Sequence, residues 1–486
     1  VFFNEDEILH IPIGINFDCT GCGNCCLQWP VPSTDEDRRR IIDLSREFVA
    51  PVTANTATGE TTAGTAADIP STSTSVDLFS TPGGQLFRRI DMDVLRNKNN
   101  QFQYTMEKRA DGRCVFLTQQ NRCALHERFG VESKPSMCQL FPYTFTEAPD
   151  GFYASISFAS TGALFNQGTP LADQREHLLN RMSLFKKLFP ALKLDWSQIQ
   201  LVDGIPIRWA QYLLIERPIL AELRQAIEST EQITDSSFPT RINFAENASS
   251  VNSCPPDWQG KYLWSSHLEL ISAHLVKQVP NDFDLERTAT VPSSARADLL
   301  LIRYLLSLYF PDSTFAQEDE PSIRELLRDM VDAPSEVPLT LADKTVDLSS
   351  ICSRRLCSLS PECENLLARY LFARVFSKLY FGPGLAHFSL LAGYHHLAVL
   401  VALIRIKLKC ILRATEEGMI ESASTRPDAS SSEGKTTSLD LLTVAEVVRN
   451  LERRLASYQH TTESATVLQV FFESPSRFKR LLELAR

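Results

Sequence analysis

Four thiols stand within eight residues at Cys19-Thr20-Gly21-Cys22-Gly23-Asn24-Cys25-Cys26, the pattern C-x-x-C-x-x-C-C. Three more follow at Cys114, Cys123 and Cys138, so seven of the twelve cysteines fall in the first third of the chain. A thiolate is a soft, anionic ligand suited to zinc or to iron–sulfur clusters. The two-residue gap lets both sulfurs of a C-x-x-C reach one metal, and Gly21 and Gly23 let the backbone turn tightly between them. The grouping predicts a metal site with Cys19, Cys22, Cys25, Cys26, Cys114, Cys123 and Cys138 as ligands. Disulfides are the competing use of paired cysteines. They suit short secreted chains, whereas this one is long and its acidic start, Asn4-Glu5-Asp6-Glu7, does not read as a secretory signal. Neighbouring side chains of an extended segment point to opposite faces, so Cys25 and Cys26 require either a tight turn or two separate roles. Seven thiols also exceed the four that one zinc or one cubane cluster needs. His126 is either an eighth donor or a helix-surface histidine.

The elements that must position these thiols are short. Residues 8–17 read as a strand or extended lead-in. The two prolines of Leu27-Gln28-Trp29-Pro30-Val31-Pro32 forbid helix. Ser33 then reads as the N-cap of a helix with Ile41, Ile42 and Leu44 on its apolar face. Residues 51–84, rich in Thr, Ala, Ser, Gly and Pro, bury too little apolar surface to offset their ordering entropy and read as a disordered insertion. The chain returns through an alternating strand at 102–109. A turn then leads into a short strand at Cys114–Leu117, and a second turn into a helical segment at 121–127. Each cysteine sits beside a turn, Pro or Gly. Tyr104, Tyr143 and Tyr153 read as core.

Beyond residue 165 the patterns are mainly helical, at 174–188, at 207–227 with a break near Pro218, and at 262–277, 297–309 and 323–331. A polar loop at about 235–260 carries Cys254, and 422–438 reads as a flexible linker. A helix starts at Cys363. The run 385–404 contains no Lys, Arg, Asp or Glu and is long enough to span a bilayer, yet Ser389, Gly393, His395 and His396 and the charged continuation Arg405–Lys409 favour a buried central helix. A final helical pair follows at 444–458 and 465–472. The predicted fold is α+β, with a small loop-rich metal-binding domain at 1–160 and a large mainly α-helical domain at 165–486. The later thiols Cys352, Cys357, Cys363 and Cys410 read as isolated, the first three forming at most a minor second site.

Bulk composition is that of a soluble globular protein, with 43% hydrophobic and 22% charged residues. A formal net charge of −10 argues against nucleic-acid partners, because no overall cationic field exists to replace counterions. Grouped thiols fit a reducing, cytoplasmic setting. No G-x-G-x-x-G loop follows a strand, and the C-x-x-x-C-x-x-C spacing of radical chemistry is absent.

The order C-x-x-C-G-x-C-C, then G-x-C-x-F-L at Gly112–Leu117, then C-x-L-H at Cys123–His126, then Pro135 three residues before C-x-x-F-P at Cys138–Pro142, resembles the cysteine-cluster family of zinc- or iron-chelating proteins. The resemblance covers about residues 15–160. Many members carry a further cysteine after the Phe-Pro, whereas the comparable stretch Ser155–Ser160 has none. The later Glu364-Asn365-Leu366-Leu367, the long apolar helix and the Arg454 to His460 ending are similar to the flagellin lysine-N-methylase branch, which joins such a cluster to a helical region of similar length. That resemblance implies a [4Fe–4S] centre and methyl transfer from S-adenosylmethionine to lysines exposed on a partner protein such as flagellin. The alternative is a non-catalytic zinc- or iron-binding structural or chelating protein. In a methylase the target amine must lose its proton before it attacks.

Overall fold

The computed structural model describes residues 8–27, 30–49, 85–90, 101–190, 192–237, 264–286, 294–311, 322–332, 336–341, 344–354, 359–419 and 441–486. The insertion read at 51–84 lies outside them, as do Cys254, Cys357 and nearly all of the loops read at 235–260 and 422–438. The elements in chain order are β1 (Leu9–His10), β2 (Pro32–Thr34), α1 (Asp35–Val49), β3 (Phe87–Arg89), β4 (Phe102–Met106), α2 (Ala124–Phe129), α3 (Ser136–Leu140), β5 (Tyr143–Ala148), β6 (Gly151–Ile156), α4 (Thr161–Leu164), α5 (Arg175–Leu188), β7 (Gln200–Val202), β8 (Ile205–Pro206), α6 (Trp209–Ser237), α7 (Trp264–Val276), α8 (Ala295–Tyr309), α9 (Ile323–Asp332), β9 (Pro338–Leu341), β10 (Lys344–Asp347), α10 (Leu348–Cys352), α11 (Pro361–Phe376), α12 (Leu390–Glu416), α13 (Leu441–Ser457), α14 (Thr462–Glu473) and α15 (Pro475–Ala485). Helices predominate, with some strands, a mixed α+β composition. The chain divides into two compact units. The helical unit takes residues 1–18, 145–175 and 194–486, and the cysteine unit takes 19–144 and 176–193.

The cysteine unit is built on the antiparallel sheet β2-β4-β3, with Pro32 opposite Thr105 and Phe87 opposite Met106. One core cluster joins Ile41, Phe87, Met106, Val115, Phe116 and Leu125, with Cys114 and Cys123 packed against it. Helix α1 begins one residue later than the expected Ser33 cap. Thr34 Oγ1 accepts from the Asp37 amide at 3.0 Å, and Asp37 Oδ2 accepts from the Thr34 amide at 3.2 Å. This reciprocal capping box satisfies two amides at once, which Ser33 cannot do from a buried strand position, where its hydroxyl donates to Val31 O. Asp37 Oδ1 also accepts from the Ser136 amide at 3.1 Å and the Ser136 hydroxyl at 2.8 Å, tying the start of α1 to the helix that carries Cys138. The strand expected at Cys114–Leu117 is replaced by single bridges, Cys114 to Lys108 and Leu117 to Cys123, with turns between them.

The helical unit contains the sheet β1-β6-β5. β1 pairs with β6 in parallel over two residues, far less than the extended lead-in expected at 8–17. The β5–β6 hairpin, turned at Pro149-Asp150-Gly151, is absent from the expected elements. Helix α12 is the centre of the unit, buried at every residue from Leu390 to Cys410 and packed on α7, α13, α14 and α15. Ser389 caps it, its hydroxyl accepting from the Ala392 amide. Gly393 lets a neighbouring chain segment lie against the helix, because a Cβ there would stand 2.2 Å from Tyr380 O. From Leu390 onward the long apolar run is therefore a buried central helix, its first five residues belonging to the connection before it, and among the described residues no helix is long and apolar enough to cross a membrane.

The charged continuation of α12 is buried too. Lys409 Nζ donates to Cys352 O at 3.0 Å and Leu484 O at 3.3 Å, and Arg405 Nε donates to Ala485 O at 3.3 Å. These are terminal carbonyls of α10 and α15, the ends of helices that attract cations. Helix α6 does not break at Pro218. Leu214, whose carbonyl loses its partner to the proline, is 66% exposed, and Pro218 is exposed as well, so water can take the freed acceptor. Helix α15 lies beyond the expected final pair; Ser474 caps it and Pro475 opens it.

Candidate metal centre

The first ligand segment turns as its glycines require. Gly21 and Gly23 have φ of 64° and 74°, and Asn24–Cys26 forms a single 3-10 turn closed by the Cys26 amide on Gly23 O at 2.9 Å. Cys25 and Cys26 are thus adjacent within a tight turn, the first of the two arrangements their adjacency allows. A Cβ at Gly23 would stand 3.2 Å from the Asn121 side chain, which sets this turn beside the loop leading to Cys123. The Cys114 amide donates to Cys26 O at 3.0 Å, and Lys108 Nζ donates to the same carbonyl at 3.2 Å. Cys123 sits at the N-cap of α2, and Cys138 in the middle of α3.

Cys26, Cys114, Cys123 and Cys138 come from four segments, and their thiols lie close enough to oppose one another's ionisation. Burial pushes the Cys26 thiol up to about 12, with Cys114, Cys123 and Cys25 adding to the rise and Lys108 opposing it. Burial likewise raises Cys138, with Lys134 opposing. It raises Cys123 as well, against the pull of the His126 backbone N–H. Cys25 belongs to the same group through Cys26. Cys19 is exposed and Cys22 half-buried. His126 is exposed on α2, a helix-surface position, and its imidazole is lowered mainly by burial and then by Lys134.

The donor set fits a thiolate-bound metal in kind. Thiols held protonated by desolvation release their protons to a cation that replaces them, and the two lysines offset the negative charge of a thiolate centre. Among the described residues no three His, Cys, Asp or Glu side chains stand at ligand spacing as they are, so the thiols are gathered but not closed on a point.

The helical unit holds polar groups of another kind. His395 Nε2 meets the Ser272 hydroxyl at 2.7 Å while its Nδ1 donates to Phe472 O at 2.5 Å. Tyr309 Oη lies 2.6 Å from His396 Nε2 and 2.9 Å from His460 Nε2. Burial lowers His395 to about 3 and His460 to about 4, and depresses His396 as well. Of the three tyrosines read as core, Tyr143 and Tyr153 are buried and Tyr104 is half-buried. The buried Lys378 and Glu216 had no sequence signal, since their partners are scattered along the chain.

No family model matches the chain, and no curated protein or solved structure matches it.

Proposed function

We propose that the cysteine unit binds a metal through Cys26, Cys114, Cys123 and Cys138, with Cys25, Cys22 and Cys19 available to a polynuclear centre. The observation that carries this reading is the convergence of half-buried thiols from separated segments beside Lys108 and Lys134. Either zinc or an iron–sulfur cluster suits such donors. A reducing compartment, the cytoplasm, keeps them available. The layout we propose joins this small loop-rich metal-binding domain to a large helical one. Iron, zinc and acid-labile sulfide per chain, measured on protein purified without oxygen, test the reading. About four irons with matching sulfide are expected for a cubane cluster. One or two zincs without sulfide favour the structural or chelating alternative, and a metal-free protein overturns both. Cys114→Ser is expected to strip the bound metal, and unchanged metal content removes Cys114 from the ligand set.

The motif resemblance extends the proposal to methyl transfer from S-adenosylmethionine to lysines of a partner protein, flagellin being the example it suggests. Radiolabel from the methyl donor entering lysine-rich protein, only with metal-loaded enzyme, is the expected result.

A further inference from the structure

The side chain of Lys378 is fully buried in the helical unit, and its surroundings are those of a cation receptor. Nζ lies 2.6 Å from both carboxylate oxygens of Glu216. It sits 4.0 Å from the ring centroid of Tyr153, 5.5 Å from that of Tyr212 and 5.7 Å from that of Phe376. The rings come from β6, α6 and the end of α11. Two of them are pinned by their own hydroxyls: Tyr212 donates to Glu216, and Tyr153 donates to Asp150 Oδ2 at 2.8 Å. Three aromatic faces and one bidentate carboxylate are the elements by which proteins recognise an alkylammonium group.

The backbone that delivers the amine is held in an unusual conformation. Lys378 has φ of 61°, and Ala386 and His387, in the same connection between α11 and α12, have φ of 51° and 58°. Left-handed backbone at non-glycine residues is uncommon, is held in place by the surrounding packing, and clusters at ligand clamps and switch regions. Phe376 and Asp150 are the partly exposed members, so the pocket lies one side chain beneath the surface.

We propose that this pocket is a recognition site for a primary or methylated alkylammonium group, the kind a lysine side chain presents, and that Lys378 is its tethered internal occupant. The inference goes beyond the metal-centre reading and does not depend on it. The occupant leaves when the α11–α12 connection relaxes, and an external ammonium takes its place between the rings and Glu216.

Lys378→Gly in the full chain tests this, because glycine accepts the positive φ while emptying the pocket. n-Butylammonium and tetramethylammonium are the probes. The expected result is a saturable rise in melting temperature with each probe, larger in the variant than in the parent protein, where Lys378 competes for the site. The affinity should fall roughly 10- to 100-fold when Glu216→Gln is added. An equal rise with n-butanol, or no rise in a folded variant, overturns the proposal. A second measurement needs no variant: reductive methylation of the parent protein, mapped by mass spectrometry across a urea series. Labelling of Lys378 well below the unfolding transition is expected. Labelling only with global unfolding means a permanent structural lysine and overturns the proposal.

Discussion

Among the described residues of the helical unit, several buried charges meet an answering group supplied by the chain. Asp298 receives Arg477 at 3.1 Å and Arg480 at 2.6 Å, Lys378 receives Glu216, and Arg405 and Lys409 of α12 rest on helix-terminal carbonyls. In the cysteine unit the corresponding group is a set of half-buried thiols that oppose one another's ionisation, beside a core cluster of six side chains. Among its described residues the first unit answers these charges from its own sequence. The second concentrates soft donors in one region, as small folds that draw stability from a ligand do.

Chelation is the strongest way to break this contrast. If the thiols hold a metal, its removal is expected to unfold the cysteine unit, since structural zinc contributes on the order of 10 kcal/mol to small folds. Amide exchange should show the loss confined to residues 19–144 and 176–193, with the helical unit protected. Loss of protection in both units contradicts the contrast. The converse lesion is Asp298→Ala, which strands the buried Arg477. Urea unfolding should lose about 3–5 kcal/mol from the helical unit, with metal content unchanged.

Acid should act on the helical unit through its histidines. His395 titrates near 3 when folded and near the ordinary imidazole value when unfolded, so the unfolded chain binds the extra proton between those limits. Its contribution is fully present above about pH 6.5 and is lost as pH falls toward 3, about 3 kcal/mol of it by pH 4. A stability profile for His395→Gln with the same acid slope as the parent assigns the loss to other groups. The smallest expected effect is Thr34→Ala. It removes half of a capping box and should lower cysteine-unit stability by about 1 kcal/mol, read from its melting temperature.

What could be read from the sequence follows the range of the signals. The α12 run is legible because twenty consecutive uncharged residues leave few alternatives. The C-x-x-C-x-x-C-C turn is legible because its glycines and thiols are local. The burial of Arg405 and Lys409 is not, because charge reads as exposure until Cys352, Leu484 and Ala485 bring their carbonyls from distant positions. Pro218 misleads because a helix tolerates proline where water can reach the carbonyl left without a partner. Helix α15 was announced by Ser474-Pro475, a cap followed by a first-turn proline, and the β5–β6 hairpin by Asp150-Gly151, both short signals beside stronger neighbours. The Lys378 pocket draws on residues from Tyr153 to Lys378 and has no local pattern at all.

Gly393 bears on ancestry. The carbonyl of Tyr380 occupies the space a side chain would need, so a chain descended from the same ancestor is expected to keep glycine at that point of its central helix, or to have rebuilt the connection before it. Apolar helical runs drift freely among leucine, isoleucine and valine. A lone glycine followed by two histidines inside such a run is a more durable mark of kinship than the run itself.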